Sequence, residues 1–144
     1  MRKLKAFTLV EIIIVVGLFS AIVLIGVPLS QTTLAGSEVD TAFEVTAKTL
    51  RSSQAYAQAG VEDSTWGVHL SGNTVTQFKG SDYAARDSEF DAVTIFSSKI
   101  NFSGVSEVIF SKLTGLPSST GAITISEGDR SVTININSTG ALSF

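Results

Sequence analysis

Arg2-Lys3-Leu4-Lys5-Ala6-Phe7-Thr8-Leu9-Val10-Glu11 sets three cations ahead of an apolar run that reaches Leu29. Between residues 9 and 29 the only charge is Glu11. As a helix rising about 1.5 Å per residue, this run would extend roughly 31 Å, the thickness of a bilayer's hydrocarbon core. Basic residues beside a first apolar segment stay cytoplasmic, so the run predicts a single-pass chain with its N-terminus inside. A secretory signal would carry a shorter apolar region with a small-residue cleavage site behind it, and Thr33-Leu34-Ala35 is tolerable as such a site. A plain signal anchor fits the length. It gives no reason for Glu11, which near a bilayer centre costs roughly 2.5–3.5 kcal/mol.

A third reading comes from the residues themselves. Lys5-Ala6-Phe7-Thr8-Leu9-Val10-Glu11 followed by an apolar helix resembles the class III signal of type IV pilins and pseudopilins. The resemblance implies cleavage by a prepilin peptidase between Ala6 and Phe7, in front of the apolar run. It also implies N-methylation of the new Phe7 amine by the same peptidase/methyltransferase. Glu11 would then neutralise the Phe7 amine of a neighbouring subunit during assembly, since a buried carboxylate is tolerated when paired. The family usually has glycine where this chain has Ala6. The partners implied are the processing enzyme, other pilin subunits, and membrane lipid before assembly.

Within the run, Gly17, Gly26 and Pro28 are the positions that permit a kink or a melted segment, because an interior proline removes one helical hydrogen bond and clashes with the turn before it. Val39, Phe43, Ala47, Leu50, Gln54 and Ala57 then recur at three- or four-residue spacing, while Glu38, Asp40, Glu44, Lys48 and Arg51 take the other faces. This predicts an amphipathic helix ending near Gly60. One helix from Phe7 to Ala59 is expected, half for a filament core and half for a domain.

From Thr65 the period changes to two. Ala122 to Ser126 and Ser131 to Asn137 alternate apolar and polar positions around Glu127-Gly128-Asp129-Arg130, a hairpin turn by composition. Further strands are expected at Trp66–Leu70, Thr74–Phe78, Ala92–Phe96, Glu107–Phe110 and Ala141–Phe144, the first two joined at Ser71-Gly72-Asn73. The late turn Gly115-Leu116-Pro117, the Ile-Thr-Ile-Ser strand and the closing Asn-Ser-Thr-Gly resemble the GspH/FimT branch of minor pseudopilins. The expected fold class is therefore α+β, a long N-terminal helix packed on a C-terminal antiparallel sheet. Its parts are a removed leader (1–6), a transmembrane and filament-core helix (7–29), an amphipathic continuation (30–60) and a sheet domain (61–144).

Composition narrows the function. The net charge is −3, and without Arg2, Lys3 and Lys5 the chain sets seven basic against thirteen acidic side chains. That argues against unaided binding of phosphate backbones, and no nucleic acid is expected. There is no cysteine and only one histidine, His69, so no metal site, cofactor or catalytic constellation is expected. Asp82, Asp87, Glu89 and Asp91 read as a solvated acidic loop rather than a calcium site. Trp66, Phe78 and Phe96 read as core, and Asn101-Phe102-Ser103 and Asn137-Ser138-Thr139 match the N-glycosylation pattern. The expectation is a structural subunit, major or minor, of a type IV pilus or type II secretion-like filament, placed first in the cytoplasmic membrane. The alternatives are a filament-tip adhesin or DNA-uptake subunit, and an exported enzyme cut after Ala35.

Overall fold

A computed structural model of the chain describes residues 9–26 and 29–144, with side chains placed for residues 9–20 and 38–144. The expected leader 1–6, the cleavage pair Ala6 and Phe7, and Pro28 lie outside the described residues. Two compact units divide between Ala35 and Gly36.

The N-terminal region corrects the expected fold. In place of one helix from Phe7 to Ala59 there are two, α1 (Leu9–Gly26) and α2 (Leu29–Gln58). Among the described residues no helix is long and apolar enough to cross a membrane. The transmembrane assignment of 7–29 and the single-pass cytoplasmic-membrane placement are therefore corrected. Among the described residues α1 runs to Gly26 and α2 begins at Leu29.

The second unit begins within α2. Val39, Ala42, Thr46, Ala47, Leu50, Ser53 and Ala57 are buried along one stripe, and Glu38, Asp40, Glu44, Lys48 and Arg51 are exposed. Past the helix, Gly60 takes a left-handed φ of 64°, which glycine adopts without steric penalty at a helix end. A 3₁₀ turn (Val61–Asp63) leads into the strands.

Eight strands follow. They are β1 (Trp66–Ser71), β2 (Thr74–Lys79), β3 (Asp87–Ile95), β4 (Asn101–Gly104), β5 (Glu107–Phe110), β6 (Gly121–Glu127), β7 (Arg130–Ile136) and β8 (Leu142–Ser143). They form two four-stranded antiparallel sheets, ordered β3-β2-β1-β5 and β4-β6-β7-β8, where one sheet was expected. The β1–β2 and β6–β7 hairpins close through two-residue turns in which Gly72 and Gly128 take φ of 58° and 57°. Alternation then decides the faces. Trp66, Val68 and Leu70 of β1, Val75 of β2, Val108 and Phe110 of β5, Ile123 and Ile125 of β6, and Ile134 and Ile136 of β7 join the α2 stripe in one buried cluster. Both sheets thus share a single core.

Polar side chains finish the α2 seam. Gln77 of β2 donates to Ser53 Oγ at 3.0 Å and Ser52 Oγ at 3.2 Å. Gln54 donates to the carbonyls of Gly115 and Thr139. Gln77 is buried, and an amide left unsatisfied in that position would cost about 1–3 kcal/mol.

The end of β4 shows how tightly the second sheet closes. Gly104 has φ +91°, and a Cβ there would strike the carbonyl oxygen of Ala122 on the paired strand. Because the obstacle is backbone in a hydrogen-bonded ladder, it cannot swing aside. Gly104→Ala should lower stability by at least about 2 kcal/mol, read as a shift of the urea midpoint in the fluorescence of Trp66, the single tryptophan. An unchanged midpoint would show that β4 is free to move away from β6.

Candidate functional site

The site is built on α1, and its chemistry is apolar. Leu9, Val10, Ile12, Ile13, Ile14, Val15, Val16, Leu18 and Phe19 are all exposed, between 45% and 76%. Consecutive helical residues step round the axis by about 100°. Ile12 through Val16 are therefore five neighbouring positions that more than complete one circuit, and all five are large, apolar and exposed. A helix that is apolar all round is normally found buried on every side, not along one stripe.

Glu11 lies in the first turn of this helix and is exposed with its neighbours. It is the one charged side chain in α1. An acid in the first turn is favoured by the positive end of the helix dipole, by roughly 0.3–1 kcal/mol. Gly17 is helical, and a Cβ added there would meet nothing within 4 Å. Gly26 is the last residue of α1. Of the sequence-derived site residues, the structure thus describes Glu11, Gly17 and Gly26. It places Glu11 within one turn of the exposed apolar residues.

Searched against family models, curated proteins and solved structures, the chain finds no match.

The other residues singled out from the sequence find structural settings. Trp66 and Phe78 are buried, and Phe96 packs half-buried on the core. His69 stacks on Tyr83, with ring centroids 3.8 Å apart and planes 6° apart. The Arg86 guanidinium lies 3.8 Å from the same Tyr83 ring, and the Tyr83 backbone N–H donates to Glu107 Oε1. This stack ties the loop after β2 to the first sheet, and no sequence spacing announced it. Of the four carboxylates read as an acidic loop, Asp87, Glu89 and Asp91 lie in β3, and Asp87 and Asp91 are ion-paired. Asp91 accepts from Arg86 Nε at 2.8 Å, and that hydrogen bond holds the guanidinium above its ordinary pKa. Asp87 pairs with Lys79 at 3.5 Å. Among the described residues no cluster of His, Cys, Asp and Glu is arranged to hold a metal ion.

Proposed function

We propose that this chain is a structural subunit of a type IV pilus or type II secretion-like filament, released from residues 1–6 by a prepilin peptidase and joined to its neighbours through α1. The observation that carries this reading is the apolar circuit of α1. Burying a large aliphatic or aromatic side chain contributes roughly 1.5–3 kcal/mol. Nine half-exposed ones therefore represent on the order of 10 kcal/mol of association free energy. Association costs about 4–15 kcal/mol in lost translation and rotation. One partner helix covers only one side of such a rod, so a pair would gain too little, whereas several neighbours cover all of it. An all-round apolar helix thus favours a bundle of many copies over a dimer. The resemblance of the Phe7-Thr8-Leu9-Val10-Glu11 block to prepilin signals supports the same reading from the sequence side.

In this assembly Glu11, in the first turn of α1, would neutralise the amino group that cleavage creates on Phe7 of an adjacent copy. Catalysis is not expected of the subunit, nor is binding of nucleic acid. Its partners are the processing enzyme and other subunits of the same or a related kind.

Mass spectrometry of the chain co-expressed with a prepilin peptidase tests the reading. The mature product should begin at Phe7 and carry one added methyl group. A product beginning after Ala35 would overturn it and favour an exported enzyme.

A further inference from the structure

The two Asn-x-Ser/Thr triplets are placed very differently. Asn101-Phe102-Ser103 lies inside β4, with Asn101 opposite Ser126 and Ser103 opposite Thr124 in the ladder with β6. Its backbone is extended, and Phe102 N–H is committed to the Gly72 carbonyl. Among the described residues nothing donates to the Asn101 carboxamide oxygen. Asn137-Ser138-Thr139 lies in the turn between β7 and β8, and all three residues are exposed. There the Asn137 carboxamide oxygen accepts three hydrogen bonds, from Thr139 Oγ1 at 2.7 Å, Ala141 N–H at 2.9 Å and Thr139 N–H at 3.0 Å. Its Nδ2 makes none among the described residues. The turn is also held from behind, because Gln54 Nε2 donates to the Thr139 carbonyl and the Gly140 N–H closes back on the Asn137 carbonyl.

From this contrast we infer that Asn137 is an acceptor for N-linked glycosylation in the folded protein and that Asn101 is not. The donor is a polyprenyl-diphosphate-linked oligosaccharide, used by an oligosaccharyltransferase. A carboxamide nitrogen is a poor nucleophile because its lone pair is delocalised onto the carbonyl oxygen. When a base takes a proton from Nδ2, negative charge builds on Oδ1, and donors already aimed at that oxygen stabilise the charge without reorganising. The three donors on Asn137 Oδ1 are arranged for that step. Nδ2 then forms a bond to the anomeric carbon while the bond from that carbon to the phosphate oxygen breaks. The Nδ2 proton passes to the transferase's carboxylate, and the polyprenyl diphosphate leaves with the electron pair. No oxidation or reduction is involved.

Access gives the second reason. A transferase must take the triplet out of any sheet, and Asn101 is fastened by the β4–β6 ladder, whereas the Asn137 triplet projects from a turn. The inference stands apart from the filament reading, since it concerns a surface remote in sequence from α1.

The test uses the full folded chain with a purified single-subunit oligosaccharyltransferase and a polyprenyl-diphosphate-linked oligosaccharide. Synthetic peptides covering residues 97–108 and 132–144 are run beside it. Site occupancy is read by peptide mass mapping. In the folded chain, occupancy at Asn137 should exceed that at Asn101 by at least tenfold. Between the two peptides the difference should fall to a few-fold, because neither holds its folded geometry. Asn137→Gln should remove the modification, and Thr139→Ser should retain it. Three results would overturn the inference: equal occupancy in the folded chain, an unmodified Asn137 while the peptides react, or the same tenfold preference between the peptides. The last would place the preference in residue identity.

Discussion

Glu11→Ala should leave cleavage between Ala6 and Phe7 intact and abolish incorporation of the subunit into filaments. The physical reason is the cost of an orphaned charge. Within a bundle of apolar helices, removing one member of a buried ion pair costs about 3–5 kcal/mol, because the partner charge stays behind without compensation. At about 1.4 kcal/mol per factor of ten, that is two to three and a half orders of magnitude in the equilibrium for adding each subunit. On the proposed reading the cleavage pair precedes α1, so processing should be unaffected. The assay compares sheared filaments with total cell protein by immunoblot, and intact mass reports processing separately. Wild-type incorporation of the alanine variant would remove Glu11 from the assembly contact. It would leave the apolar circuit of α1 as the only assembly determinant.

Phe110→Ala should be the most damaging substitution in the second unit. Phe110 is 0% exposed, at the end of β5 opposite Trp66, and bridged to Pro117. Truncating a buried phenylalanine costs about 3–5 kcal/mol, from lost transfer free energy and the cavity left behind. Against a typical stability of 5–15 kcal/mol this is a large share. The fall should appear as a lower urea midpoint in Trp66 fluorescence. Phe144→Ala is the control. That ring is 64% exposed and meets Phe43 edge-on at 5.0 Å, so its removal should shift the midpoint by less than about 1 kcal/mol. Comparable losses from both variants would mean that the core is not centred between α2 and the two sheets.

Particular residues show where sequence reading sufficed. The spacing of Val39, Ala47, Leu50 and Ala57 marks the buried stripe of α2, and the charged positions between them are exposed. Alternation locates β1, β2, β5, β6 and β7 to within a residue or two, and the Gly72 and Gly128 turns fall between their strands. Two features escaped. β4 has only four residues and carries one large apolar side chain, Phe102, so its alternation is too short to register. The start of β3 at Asp87 is hidden because Asp87, Ser88 and Glu89 read as loop. The single long helix was misjudged for another reason, since apolar continuity from Leu9 to Leu29 measures hydrophobicity, which does not by itself fix how far one helix runs.

What the amino-acid order determined alone is local: an apolar α1 with one acid in its first turn, an amphipathic α2, hairpins at glycine turns, and strands with one greasy face. These follow from periodicity and turn chemistry acting over a few residues. Only the tertiary structure decided that β5 returns to β1, that β4 crosses to β6 and so makes two sheets, and that Gln54 braces the turn presenting Asn137. Such pairings join residues far apart in the chain, and their selection rests on loop closure and on which register buries the most apolar surface, quantities that no short window of sequence contains.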